Sequence, residues 1–232
     1  MFSPHPEERV HRASRRMRVL ALVLAAGVIT GAAAAGPLPV VLDLHPAKWE
    51  MLSFKGMAET SFRAAPGGTM EIVADKSSSV LYLKVADDPV PATHLSWEWQ
   101  VIDALPATDL SRTDGDDRIL SIYVAFSDGS MTSRIKAMVS PLAAGKVLNY
   151  VWGGDREMDI AHPHFPDSGR LIVKRTVHAP AGEWVSESVD LAADYRRAFG
   201  TPAPGVAYIG VSGDADDLGL VSKGLLRNIR LE

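Results

Sequence analysis

No cysteine occurs among the 232 residues, which excludes a disulfide scaffold, a Cys-ligated zinc or iron–sulfur site, a thiol nucleophile and a lipid-modified cysteine anchor. Basic residues are also in deficit. Lys and Arg total 24 against 28 Asp and Glu, a net charge of −4, so no basic stripe is present to meet the phosphates of a nucleic acid. Aromatics make up only 7%, no internal repeat recurs, and neither a phosphate-binding glycine loop nor a dinucleotide fingerprint is present. The remaining composition, 47% apolar and 22% charged, is that of one folded domain rather than a disordered chain.

The one long uncharged stretch lies near the N-terminus. Arg9, Arg12, Arg15, Arg16 and Arg18 precede the apolar run Val19–Ile29, and Ala32 to Ala35 supplies small residues at signal-peptidase spacing. The run is short for a membrane span and lacks a stop-transfer cluster, so it reads as an export signal over residues 1–35 rather than a retained anchor helix. Ser14-Arg15-Arg16-Met17 resembles the start of a twin-arginine signal, but Arg18 stands where that pattern prefers an aromatic, which favours general secretion. Met17 begins a complete signal by itself and is a candidate translation start. Cleavage after Ala35 removes five arginines and two glutamates, leaving about 197 residues with 19 basic and 26 acidic side chains, a net −7. The expected product is periplasmic or secreted, monomeric, without a membrane span, and able to stand on its own core.

Residues 36–232 show short β-type runs separated by turn residues, the pattern of an antiparallel sandwich. Runs fall at Leu38–Leu44, Thr60–Arg63, Met70–Asp75, Ser79–Val85, His94–Ile102, Arg118–Phe126, Lys146–Trp152, Arg170–His178, Trp184–Val189, Gly205–Ser212 and Leu225–Leu231. The reading is an all-β jelly-roll sandwich, the galactose-binding-like arrangement being one form of it, with one or two short helices. One helix is signalled by Asp190 as N-cap, Leu191 and Tyr195 at helical spacing, and Gly200 before Pro202; a second turn is predicted within Thr132–Leu142.

Several segments, taken together and in order, resemble a family. Lys76-Ser77-Ser78-Ser79, Leu95-Ser96-Trp97-Glu98-Trp99, Gly115-Asp116-Asp117-Arg118 leading into Ile122–Phe126, Leu148-Asn149-Tyr150-Val151-Trp152-Gly153 and Asp194–Gly200 are similar to the bacterial exported family called domain of unknown function three-zero-four-seven. The resemblance spans about residues 40 to 232 and implies a single secreted or periplasmic β-sandwich, with no activity to carry over. The loop Ser212–Gly219 departs from the family pattern: its carboxylates persist but shift.

The candidate chemistry is sparse. Asp114, Asp116 and Asp117 in one Gly-containing loop, and Asp214, Asp216 and Asp217 in another, present the clustered oxygens that suit calcium, although neither has EF-hand spacing; the competing reading is two solvated turns, with Asp116 or Asp117 pairing Arg118. Trp97 and Trp99 alternate on one strand face, as do Tyr150 and Trp152, and each pair is either a core element or, with Arg118, a ligand platform for sugar rings. Glu98 is the candidate catalytic carboxylate of a glycosidase pair, with Asp103 or an acidic-loop residue as partner, against a reading as a salt-bridged surface group. His162-Pro163-His164 with Asp167 reads as a solvated loop rather than a metal cluster, and Gly210-Val211-Ser212-Gly213 is one residue short of a nucleophile elbow.

Two functions follow from these residues. The first is a non-catalytic exported module binding a glycan or other cell-envelope component, with calcium support at the Asp loops; the alternative is a polysaccharide-acting hydrolase or lyase on the same scaffold. Sequencing the N-terminus of the exported protein is expected to find Gly36 first, and a product beginning upstream would show a retained anchor.

Overall fold

Alternation of apolar and polar residues along most strands builds two sheets that share one core. The computed structural model describes residues 39–232 except 92, 131, 134–139 and 141–144, all within a compact unit spanning Pro37–Glu232. The expected export signal, and all of the helical turn expected within Thr132–Leu142 except Thr132, Ser133 and Ser140, lie outside the described residues.

In chain order the strands are β1 (Val40–Val41), β2 (Glu50–Ser53), β3 (Ser61–Ala65), β4 (Thr69–Asp75), β5 (Ser78–Lys84), β6 (His94–Asp103), β7 (Arg118–Ser127), β8 (Val147–Trp152), β9 (Asp159–Ala161), β10 (Gly169–Arg175), β11 (Val185–Asp190), β12 (Gly205–Asp214) and β13 (Val221–Leu231). One sheet runs β11-β6-β13-β4-β3, with β1 also on β13; the other runs β2-β5-β12-β7-β8-β10-β9. The facing quartets β4-β13-β6-β11 and β5-β12-β7-β8, with the chain crossing between sheets, give the jelly-roll strand order. All pairs within these quartets are antiparallel; β10 joins β8 in parallel, a departure from the antiparallel expectation. β2 and β9 carry too few residues for periodicity to show.

Helix α1 (Leu191–Phe199) follows β11 directly, and both predicted caps are present. The Asp190 side chain accepts from Ala193 N–H at 2.8 Å, and Gly200 adopts φ 74°, a left-handed conformation that only glycine takes without strain. Leu191 and Tyr195 are buried, and Tyr195 packs on Phe126 with ring centroids 4.7 Å apart, so the helix closes one end of the sandwich.

The core is aromatic at its centre. Trp97 and Trp99 from β6 meet Tyr150 and Trp152 from β8: Trp97 lies 5.2 Å from Trp99 and 5.5 Å from Tyr150, and Trp99 lies 5.5 Å from Trp152. None of the four exposes more than 1% of its surface. The ligand platform expected of Trp97, Trp99, Tyr150 and Trp152 is therefore corrected: the face they share is the inter-sheet face, and no ligand reaches it. Trp99→Ala is expected to cost about 3–5 kcal/mol in chemical denaturation, the range for emptying a large buried aromatic site.

Three register shifts decide which side chains face outward. Between Arg227 and Arg230 a shift centred on Asn228, at φ 56°, lets Leu226, Ile229 and Leu231 all reach the core. A shift between Val206 and Tyr208 does the same for Val206 and Ile209. In the third, β7 spends Ile119 and Leu120 consecutively on the core, where Ser212 pairs with Ser121 and Asp214 with Arg118. Arg118 is thereby turned onto the outer face of the seven-stranded sheet, on the side of Ser121 and Tyr123.

Candidate functional site

The outward turn of Arg118 creates the most elaborate polar cluster among the described residues. Its Nη1 lies 3.0 Å from Asp116 Oδ2 and its Nη2 donates to Asp214 Oδ2 at 2.6 Å, all three side chains being more than nine-tenths buried. Burial works against the guanidinium charge, but Tyr123, Asp116 and Asp214 outweigh it and raise the Arg118 pKa. The arginine ties the loop entering β7 to the loop leaving β12. A second tie runs through Asp117, whose two oxygens accept the backbone N–H groups of Asp217 at 3.2 Å and Leu218 at 2.8 Å.

Histidines complete the cluster. His164 Nε2 lies 3.1 Å from Asp116 Oδ1, while His162 is 1% exposed, stacked on Phe165 at 3.7 Å, and faces Arg118 Nη1 and Asn149 Nδ2, each at 3.5 Å. Burial first, then the charges of Arg118 and His164, push the His162 pKa down to about 2, so the ring is neutral. Its Nδ1 accepts the His164 backbone N–H at 3.3 Å, which places the proton on Nε2. With the Asn149 amide turned to present Oδ1, an atom otherwise unpartnered, that proton has an acceptor.

These groups open into a cavity of about 340 Å³ on the outer face of the seven-stranded sheet. Arg118, Tyr123, Ser212 and Asp214 form its sheet side; His162, His164 and Phe165 from the β9–β10 loop, and Phe54 and Met57 from the β2–β3 loop, wall it; Asp116, Asp216 and Asp217 complete the polar part. Glycine permits the close cover. A Cβ at Gly169 would stand 2.2 Å from the Phe165 ring.

Most of the expected acidic residues therefore meet in one place, not in two separate turns. Asp117, Asp214 and Asp216 each offer an oxygen within 4.8 Å of the others, and this cluster can coordinate a cation such as calcium. The hydrogen bond with Asp214, then burial, then the surrounding carboxylates raise the Asp216 pKa to about 7; Asp117 and Asp217 are raised chiefly by burial. Asp114 is corrected: it is exposed, paired with Arg112 at 2.7 Å, and does not line the cavity.

Glu98 is corrected as a catalytic carboxylate. It sits on the outer face of the other sheet, where Arg227 donates to it and holds its pKa below the usual range, and Arg227 in turn stacks 3.9 Å over Trp184. A general acid needs a raised pKa, and the aromatic core separates Glu98 from the acidic loops. The solvated-loop reading of His162-Pro163-His164 with Asp167 fails at His162, which is buried against the sheet, and holds for His164 and Asp167, which are exposed. Phe54, Met57 and Phe165 carried no motif, and Tyr123 and Asn149 stood within family-like segments that assign them no role. Only the outward parity of Tyr123 and Asn149 on their strands could have marked those two.

The two shifted groups act oppositely on stability. Below its unfolded pKa near 6.5, His162 takes a proton only when the chain unfolds, so the contribution of neutral His162 is lost as pH falls. Asp216 retains a proton in the folded state that the unfolded chain releases, so its contribution is lost as pH rises from about 4 through about 7. Replacing His162 with Asn is expected to flatten the acid limb of stability between pH 6.5 and 5, removing a slope approaching about 1.4 kcal/mol per pH unit in urea titrations.

Comparison with solved structures finds distant likenesses to carbohydrate binding modules of family 29. One, a point mutant complexed with mannohexaose, is 10% identical, covers 84% of this chain and 90% of its own, and superposes with a TM-score of 0.41. A second, complexed with cellulohexaose, is 10% identical over 83% and 90% with a TM-score of 0.40. Another structure of a family 29 module is 9% identical over 84% and 87% with a TM-score of 0.39. No curated protein matches the sequence. A family model does match, over residues 47–230, and the chain belongs to that family, described as Protein of unknown function (DUF3047).

Proposed function

We propose that the protein is an exported, non-catalytic binding module, monomeric in the periplasm or outside the cell, which holds a glycan or another cell-envelope component in the outer-sheet cavity. The observation that carries this reading is the cavity's lining. Phe54, Met57 and Phe165 offer apolar surface at one side, and rigid polar groups with unused hydrogen-bonding capacity stand at the other. A pyranose presents the complementary pair of surfaces, C–H faces that pack on aromatic rings and hydroxyls that both donate and accept.

Fixed polar groups also suit selective binding. Arg118, Asp116 and Asp214 are held by one another, and His162 by its stacking on Phe165, before any ligand arrives, so little ordering is left to oppose association. The acidic trio could add a cation such as calcium beside the ligand. Residues 1–35, read as an export signal, would deliver the domain to the compartment where envelope glycans are found.

A glycan array followed by calorimetry tests the reading. Binding to a defined saccharide is expected, weakened by about three- to tenfold in Phe54→Ala with the melting temperature unchanged. A silent array, or binding that ignores Phe54 and His164 together, would remove the cavity from consideration.

A further inference from the structure

The outer face of the seven-stranded sheet carries more than the cavity. Beyond Ser212 and Ser78, which line the cavity, the next outward positions are Gly210 and Tyr208 along β12 and Val80 and Tyr82 along β5. Gly210 pairs with Tyr82 on one side and with Tyr123 on the other, so one row across three strands reads Tyr, Gly, Tyr. The glycine contributes no side chain, and the two tyrosines flank the low floor it leaves, their backbones about 9.5 Å apart. Tyr123 belongs to both places. It lines the cavity, and with Val80 it forms an apolar cluster of the outer face, separate from the core, against which Leu52, Tyr208 and Phe165 pack.

The rings of this shelf are fixed. Tyr82 Oη donates to Glu50 Oε2 at 2.7 Å, and Tyr208 stands edge-on to Tyr82 with ring centroids 6.1 Å apart and planes at 72°. Both remain half-buried, whereas Val80 and Tyr123 nearer the cavity are buried, and Glu50 and Lys84 stand exposed at the rim. An acyl chain would need unbroken apolar surface, and the phenol edges and rim charges interrupt it. They match a pyranose instead, whose C–H faces pack on rings while its hydroxyls donate and accept around them.

Distance sets the size of the ligand. Tyr82 follows Ser78 on β5 by four residues, about 13 Å of strand. The cavity, at about 340 Å³, is at the lower end of the range of about 300–1,000 Å³ that encloses a small ligand, so it takes the end of a chain and not its length. The shelf begins where the lining of the cavity ends. Resting on the reading of the cavity as a glycan site, we propose that the ligand is an oligosaccharide whose terminal unit enters the cavity and whose following units lie over Gly210 on the shelf of Tyr82 and Tyr208. Because both rings are held before binding, the added units lose little freedom to protein ordering, and chain length becomes a determinant of affinity.

Calorimetry on the purified protein tests the proposal with the dimers and hexamers of two β-1,4 chains, one of glucose and one of N-acetylglucosamine. The hexamer of the bound series is expected to bind about tenfold or more tightly than its dimer. Tyr82→Leu or Tyr208→Leu, which keep apolar bulk but remove the flat face, is expected to bring the hexamer down to about the affinity of the dimer, while Tyr82→Phe stays within about threefold of the parent. Melting temperatures separate a lost shelf from lost folding, and Tyr208→Leu carries the test should Tyr82→Leu not fold. Equal affinity for dimer and hexamer, or a hexamer margin that survives both leucine variants, overturns the shelf and leaves the cavity standing as a glycan site. Hexamer binding that depends on Tyr82 and ignores Phe54→Ala overturns the cavity reading, and with it the placing of the terminal unit. No response to any of the four probes removes both.

Discussion

Arg118 is buried between two carboxylates on the outside of a sheet, where arginine would ordinarily face water. Desolvating three charges costs several kcal/mol each, and their attraction compensates only when the geometry is close and the remaining donors and acceptors are met. Here the 2.6 and 3.0 Å pairings to Asp214 and Asp116 supply the attraction, while His164 takes the second oxygen of Asp116. The loops before β7 and after β12 stay together because separating them would strand a guanidinium in a poorly hydrated pocket. The cavity above them exists because those loops are fixed.

That arrangement depends on the opposite face of the same sheet. The register shift that turns Arg118 outward works only because Ile119 and Leu120 can both be buried, and Leu120 fits because Gly224 on the facing sheet carries no side chain; a Cβ there would stand 2.6 Å from Leu120. The packed aromatic layer of Trp97, Trp99, Tyr150 and Trp152 keeps that facing sheet in place. Indole N–H groups of Trp97 and Trp99 have no acceptor in this layer, so its apolar packing outweighs the loss of two hydrogen bonds. Core and site are thus coupled through a single bulged strand, with the aromatic weight on one side and the charge on the other.

The sequence made the sandwich legible through local signals. Alternation marked β6 and β12, and Asp190 and Gly200 bounded the helix, because these features depend on residues a few positions apart. It located the acidic residues but not their meeting, since Asp117 and Asp217 lie a hundred positions apart along the chain and come together only through the β7–β12 pairing. Trp97 and Tyr150 show why residue type misleads for ligand platforms: alternation says that two aromatics share a face, and only the second sheet says which face is covered. His162 failed for a related reason. Within a Pro-containing loop it has the setting of an exposed residue, yet the loop folds back over β8 and buries it against Asn149.

The unpaired groups around Arg118 bear on function because they are expensive to keep. A guanidinium N–H without an acceptor and a pair of carboxyl groups, Asp214 and Asp216, that share a proton to about pH 7 each lower stability relative to a satisfied or apolar cluster. Elsewhere the same fold meets such demands locally: Asp159 takes both Arg170 and Arg197, and Glu187 closes on Arg175 across the open edge of the sandwich. Among the described residues most unpaired buried polar atoms lie around Arg118, the others being at Trp97, Trp99 and Ser222. On the reading proposed above, a ligand that supplies an acceptor to Arg118 stabilises the folded state as it binds.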